Sequence, residues 1–357
     1  MKFLEVISTW INRYFSNEEA IYLVVMLIVV LIVLVTLGVY LAPVLTGVVV
    51  AFLLEGTVER LIAWRVPPLV AVWMVFLGFI GVLVAVLTGI LPLIWRQLFE
   101  AVNAMPALID RLREVTDGLA VTYPNLVSEG LIDSWLQTIG ADLAQLGGRF
   151  LQTMVAQVPN VFGLLIYLIL VPISVFFFLK DREKLMARFL LLLPAHRPLL
   201  NQVGEEMNVQ IANYVRGKSV EIIIVGTVSY ITFASLGLNY AALLGLVVGL
   251  SVLIPFIGAA VVTVPVAAVA FLQWGWSLEF LYLLIGYGII QALDGNVLVP
   301  LLFSEANDLH PIMIIVAVLA FGGLWGLWGV FFAIPLATLV KAIFNAWPRQ
   351  AGTPAAL

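Results

Sequence analysis

Apolar residues fall in long uncharged runs along this chain, interrupted by two polar stretches in which hydrophobic positions recur at helical spacing. A helix crossing about 30 Å of hydrocarbon needs roughly 20 apolar residues. Residues 20–41, 69–95, 161–179 and 222–238 approach or exceed that length without a charge, 280–302 does so around the single Asp294, and each predicts a membrane span. A weaker run at 43–64 is uninterrupted only from Val44 to Leu54, before Glu55, Glu59 and Arg60, and predicts a second N-terminal span.

In the first polar stretch, 96–159, Leu98, Val102, Met105, Leu108, Leu112, Val115 and Leu119 form one stripe. Beyond Pro124, Leu131, Trp135, Ile139, Leu143, Leu146 and Phe150 form another. These read as amphipathic helices lying on the membrane, on a partner, or as a cap over the chain's own spans. The second stretch, 180–218, holds seven Lys or Arg, whereas 96–159 holds four Arg and seven acids. Because basic loops stay in the cytoplasm, 180–218 is expected inside and 96–159 outside. With both termini cytoplasmic, thirteen of the seventeen basic residues fall inside and four (Arg96, Arg111, Arg113, Arg149) outside. The chain thus divides into N-terminal transmembrane helices (1–95), an external amphipathic segment (96–159), a span with a basic cytoplasmic segment (160–218) and a C-terminal core (219–357).

Two C-terminal runs, 238–272 and 309–344, are too long for one crossing: 35 residues of helix measure about 52 Å. The first contains Pro255, Gly258 and Pro265; the second contains Gly322, Gly323, Gly326, Gly329 and Pro335. Proline and glycine weaken helices, so each run is expected to break there, as a bent helix or as a hairpin entering and leaving on one side. Setting Leu238 against Leu309 pairs Gly258 with Gly329 and brings Pro265 within one residue of Pro335. Two hairpins entering from opposite sides would form an inverted repeat, an arrangement used by secondary transporters. Close packing through Gly245/Gly249 and Gly322/Gly326 is the other account of the glycines.

Composition fixes the class. With 63% apolar and 11% charged residues and a mean hydropathy of +1.13, an all-α polytopic membrane protein of about eight hydrophobic segments is expected, with lipid as its solvent. A net charge of −4 and no basic patch argue against nucleic acid. The absence of Cys and the presence of only two His, His196 and His310, leave no expected metal site or cofactor. Residues 1–19 lack a signal-peptide cleavage pattern, and the first span is read as a retained anchor. Arg216–Ser219 reads Arg-Gly-Lys-Ser, like the end of a phosphate-binding loop, but Ala212 stands where that motif needs glycine. No hydrolase motif is visible, so an enzyme is not expected.

The chemically informative residues are polar ones inside apolar spans. Asp294 lies in Gln-Ala-Leu-Asp-Gly-Asn (291–296) between apolar flanks. A carboxylate at mid-membrane costs at least about 2.5 kcal/mol. Asp294, Gln291 and Asn296 therefore read as lining a solute or proton path, or as an interhelical clamp satisfying freed backbone. Glu221, at the start of its expected span, reads either as a path residue or as a side chain reaching to the interface. Glu55 and Glu59 read as solvated charges, Asp181–Lys184 as a solvated helix start, and His310-Pro311 as a helix start.

The stretch 291–306, then Leu309-His-Pro, then Phe-Gly-Gly-Leu-Trp-Gly-Leu-Trp-Gly-Val-Phe-Phe-Ala-Ile-Pro-Leu-Ala (321–337) closely resembles the AI-2E family of transporters. Phe178–Asp181, Tyr214–Lys218 and Leu253–Ala259 extend the resemblance along nearly the whole chain. The resemblance implies a bacterial inner-membrane permease, a homo-oligomer (pentamers among the forms expected), with some members linked to export of autoinducer-2 and others to sodium or proton antiport. It also implies an intramembrane acid, Glu in many relatives, at Asp294. A secondary transporter or facilitator for a small polar solute or cation is the expected function, and a non-transporting scaffold binding an envelope partner is the alternative.

Overall fold

The computed structural model describes residues 18–104, 161–191, 193–194, 197–255, 257–303 and 309–346, which are helical with short connections and, among the described residues, no strand. Most of the external segment, the N-terminal residues before Glu18 and His196 lie outside the described residues. Helix α1 spans Glu18–Ala63. α2 spans Pro68–Ala85 and continues through a π-helical turn, Val86–Ile90, to Ala104. α3 (Val161–Lys180), α4 (Arg182–Leu191) and α5 (Pro198–Ser235) follow. Then come α6 (Ala241–Ser251), α7 (Ile257–Trp274), α8 (Leu278–Leu293), a second π-turn (Asp294–Leu298) and α9 (Val299–Phe303). The chain closes with α10 (Pro311–Trp325), α11 (Leu327–Phe331) and α12 (Ala333–Ala346). Proline opens α2, α5 and α10, where its missing N–H would be unbonded in any case. His310 accepts from the Ile312 N–H at 3.3 Å and so caps the start of α10.

The runs 20–41 and 43–64 are joined in one 46-residue helix, α1, with Pro43 inside it, and within it Ile21–Gly38 and Tyr40–Ala63 are each long and apolar enough to span a membrane. One expected boundary is corrected. α5 does not begin at the apolar boundary near Ile222. It starts at Pro198 and takes in half of the basic segment, because charge ends an apolar run without ending a helix.

The chain forms two compact units, neither a continuous stretch. Unit 1 holds Met1–Phe76, Ile169–Lys218 and Leu302–Leu357; unit 2 holds Leu77–Leu168 and Ser219–Leu301. Among the described residues, Arg60, Arg65, Lys180, Arg182, Lys184, Arg188, Arg197, Arg216, Lys218 and Lys341 belong to unit 1 and Arg96 to unit 2.

Within unit 1, Leu23 packs with Leu200, Val203, Met207 and Ala342, while Val58, Ala71, Val72 and Val75 form a second cluster against Phe176. The Glu19 carboxylate accepts from the Leu199 N–H at 2.9 Å, capping the start of α5. Near the other end of α1, Glu55 pairs with Arg182, and Phe52 lies 5.6 Å from the Arg216 guanidinium. Straight rods would put Glu19 and Glu55 about 54 Å apart and Leu199 and Arg216 only about 26 Å apart. Side chains cannot span that difference, so α1 bends, and Pro43 in its interior is the local cause.

Each long C-terminal run is a hairpin. In unit 2, α6 and α7 pack on each other across a turn that includes residues 252–255. A Cβ on Gly258 would overlap the Ser251 carbonyl. The open end is tied by Gln273, which accepts from the Asn239 N–H at 2.7 Å and donates to the Gly237 carbonyl at 2.8 Å. Both legs therefore meet at one end. In unit 1, α10 packs on α11 and α12, and a Cβ on Gly329 would overlap the Phe321 carbonyl. The residues that align in sequence perform the same close approach.

The other expected break points differ. Pro265 lies inside α7 and does not break it, since one missing N–H is tolerated where neighbouring helices pack. Pro335 sits in the first turn of α12, a permitted position. Gly322 and Gly323 close α10, and the chain turns at Gly326, whose φ of 58° and ψ of −134° suit glycine. Ala in place of Gly258 or Gly329 is expected to destabilise by about 3 kcal/mol or more. Gly288→Ala, with open space around it, should cost far less. Thermal unfolding in detergent distinguishes these outcomes.

Candidate functional site

The second half of α5 buries one stripe at four-residue spacing: Glu221 at 1% exposure, Val225, Ser229 at 0% and Phe233. Its neighbouring stripe, Ile222, Gly226 and Tyr230, meets α6 backbone to backbone. A Cβ on Gly249 would lie 2.8 Å from the Gly226 Cα, and one on Gly245 would lie 2.8 Å from the Tyr230 Cβ. Gly245 and Gly249 are therefore close-packing residues, whereas Gly258 and Gly329 close hairpins.

The buried stripe faces α8. Phe280 packs on Phe271 and Trp276, each 5.7 Å away, beside the end of α5 that Gln273 holds. Seven residues further along α8, Tyr287 meets Phe233 at 6.0 Å, so α8 runs antiparallel to α5. Advancing four residues from this pair moves about 6 Å along each helix and brings Ser229 level with Gln291. Gly226 is then level with Asp294, and Glu221 lies beyond that, opposite the end of the π-turn. Glu221 and Ser229 of α5 and Gln291 and Asp294 at the end of α8 are thus four polar residues at neighbouring levels of unit 2. Tyr287 also accepts from Thr263 of α7 at 3.3 Å, tying the hairpin to α8.

Asp294 opens the π-turn and, like Gln291, is half-buried. π-turns recur at functional sites because they widen the helix and re-aim side chains. Among the described residues, Ser229 Oγ and Gln291 Nε2 are buried without a hydrogen-bond partner. Such groups are costly and mark places where a water, ion or solute supplies the missing bond. Asn296 stands apart: it is exposed, and its side-chain amide donates to the Ala292 carbonyl at 2.8 Å, satisfying backbone in the widened turn. Glu221 does not reach to an interface. It lies in mid-helix and is fully buried, because α5 begins 23 residues before it.

Lys218 was not singled out by its sequence context. It is 5% exposed, and its ammonium lies 5.4 Å from the Phe303 ring. The same ring packs at 5.9 Å from Tyr214 and fills the space where Gly217 lacks a side chain. The segment Tyr214–Lys218 is therefore a seat for Phe303 in unit 1. The available signal was spacing: Lys218 precedes Glu221 by one helical turn, and Ser229 lies two turns beyond it. Glu55 is also misplaced as a solvated charge. It is 8% exposed and held by Arg182, which additionally lies 3.9 Å from the exposed Glu59.

Long apolar helices, two glycine-closed hairpins and buried ionisable residues in mid-helix define a polytopic helical membrane protein built on the plan of a transporter. The chain belongs to the AI-2E family transporter group, whose family model matches residues 21–349. It is 44% identical over 345 residues to the Escherichia coli (strain K12) protein called "Putative permease PerM", covering 97% of this chain and 98% of that one. It is 26% identical to the transport protein YueF of Bacillus subtilis, covering 83% and 81% of the two chains. To the AI-2 transport protein TqsA of Escherichia coli (strain K12) it is 23% identical over 84% of each chain.

Replacing Ser229 by Ala removes an unmet buried hydroxyl and is expected to leave stability unchanged or raise it by about 1 kcal/mol. A loss of more than that in thermal unfolding would mean the hydroxyl is bonded within the fold.

Proposed function

We propose that the protein is a secondary transporter of the inner membrane that moves a cation or small polar solute along the column formed by α5 and α8. The observation that carries this reading is the complete burial of Glu221 in α5 together with Asp294 opening a π-turn at the end of the apolar helix α8. Ionisable groups inside membrane segments are expensive and mark ion and proton pathways. Asp294 and Glu221 bind or couple, and Gln291 and Ser229 supply neutral ligands. The glycine-closed hairpins provide discontinuous helices of the kind that alternate access in transporters.

Both termini are placed in the cytoplasm in this proposal. It is supported by the bonds from Glu19 and Glu55, near opposite ends of α1, to residues of the basic 180–218 segment. The packing of Ala342 against Leu200 and Val203 supports the same side for the C-terminal helix. A homo-oligomer is the assembly this reading expects.

Purified chain in liposomes, assayed for proton, sodium and potassium flux, tests the reading. Asp294→Asn and Glu221→Gln are each expected to lower flux at least about tenfold, a loss of roughly 1.4 kcal/mol in the rate-limiting barrier. Wild-type flux in both variants would remove the proposed role of the column.

A further inference from the structure

Helix α4 is held firmly at both ends and touches little of the chain between them. At its start, Arg182 pairs with Glu55. At its end, the Arg197 guanidinium donates to the Leu190 carbonyl at 2.7 Å and the Pro194 carbonyl at 3.2 Å. Yet its residues are exposed except Leu190, which is half-buried. Leu185 is 39% exposed, Met186 51%, Phe189 53% and Leu191 83%.

At 100° per residue, Leu185, Met186, Phe189 and Leu190 share one side of α4. Lys184 and Arg188, one turn apart, lie on the opposite side, and Glu183 lies at the edge of the apolar side beside Leu190. From Lys180 to Leu191 there are four basic residues against two acids. α4 begins two residues after Lys180, where the apolar helix α3, a candidate span over Gly163–Lys180, ends. An exposed apolar stripe beside an excess of positive charge, at the end of a membrane span, matches the physics of an interfacial helix.

We propose that α4 is a binding site for anionic phospholipid headgroups: Leu185, Met186 and Phe189 enter the acyl boundary while Lys184 and Arg188 hold phosphates. Ten residues bury too little surface to bind lipid as a free peptide. Tethering to α3 makes the contact intramolecular with the bilayer, so weak headgroup interactions suffice. Glu55 and Arg197 then act as the brackets that hold α4 in place. The site reads the charge of the leaflet in contact with the basic segment, and it is independent of what the transporter carries.

The chain has no cysteine, so Met186→Cys gives one labelling position for an environment-sensitive fluorophore on the full-length protein. The labelled protein is placed in vesicles of phosphatidylcholine alone, or with one phosphatidylglycerol for about every three phosphatidylcholines. In the anionic vesicles, quenching by lipid nitroxides near the headgroup and protection from aqueous iodide are expected. Lys184→Gln and Arg188→Gln should each lower the selectivity of spin-labelled phosphatidylglycerol for the protein, about fivefold per charge at low salt. These three positions are exposed, so the fold is not at stake. Iodide quenching equal to that of free dye would overturn the proposal. Shielding from both quenchers would equally overturn it, showing that a second copy or another protein covers α4. Unchanged lipid selectivity in both variants would remove the headgroup role. None of these readouts depends on flux.

Discussion

Hydrocarbon offers no hydrogen-bond partner to a peptide group, and each unmet N–H or C=O there costs several kcal/mol. A chain that turns back inside lipid must therefore close its broken helix with its own backbone and leave no room for anything else. In both hairpins a glycine does this, Gly258 against the Ser251 carbonyl and Gly329 against that of Phe321. Any side chain at either position would force the two legs apart. In the first hairpin, α6 is only 11 residues long, about 17 Å, whereas its partner leg α7 has 18 residues. The Gln273 bonds at the other end keep the exposed loop backbone satisfied.

The same constraint explains the polar residues. Helices α5 and α8 meet their own backbone needs, so a side chain that is polar and buried between them serves something else. Glu221 and Ser229 lie two turns apart on the buried stripe of α5, and Gln291 and Asp294 lie three residues apart at the end of α8. Gly226, Gly245 and Gly249 bring α6 against the neighbouring stripe, which keeps α5 from rotating out of register. Asn296, one turn beyond Gln291 on the exposed side, uses its amide locally.

Much of this was legible in the residues. Long uncharged runs announced the spans, the alignment of Gly258 with Gly329 announced the paired turns, and the cost of Asp294 in an apolar context marked α8. What stayed hidden depended on partners distant in sequence. Glu55 reads as solvated until Arg182 is placed beside it, and Glu221 reads as an interfacial charge until α5 is seen to begin at Pro198. Lys218 reads as one of several cytoplasmic bases until Phe303 covers it. Pro265 and Pro335 misled for a local reason: proline disrupts a helix only where its N–H was needed and its neighbours cannot compensate.

The charge balance of α5 and α8 bears on the proposed transport. From Lys218 to Phe233 on α5 and from Phe280 to Leu298 on α8 and its π-turn, the sequence carries two carboxylates and one ammonium. Lys218 is the last residue of its stretch of unit 1, and the one described basic residue of unit 2, Arg96, is exposed and pairs with Glu100 at 3.6 Å. Under the proposed transport reading, an acid-rich stretch of two membrane helices suits a proton or a cation better than an anionic solute, and Ser229 and Gln291 are the neutral polar groups that the same helices offer.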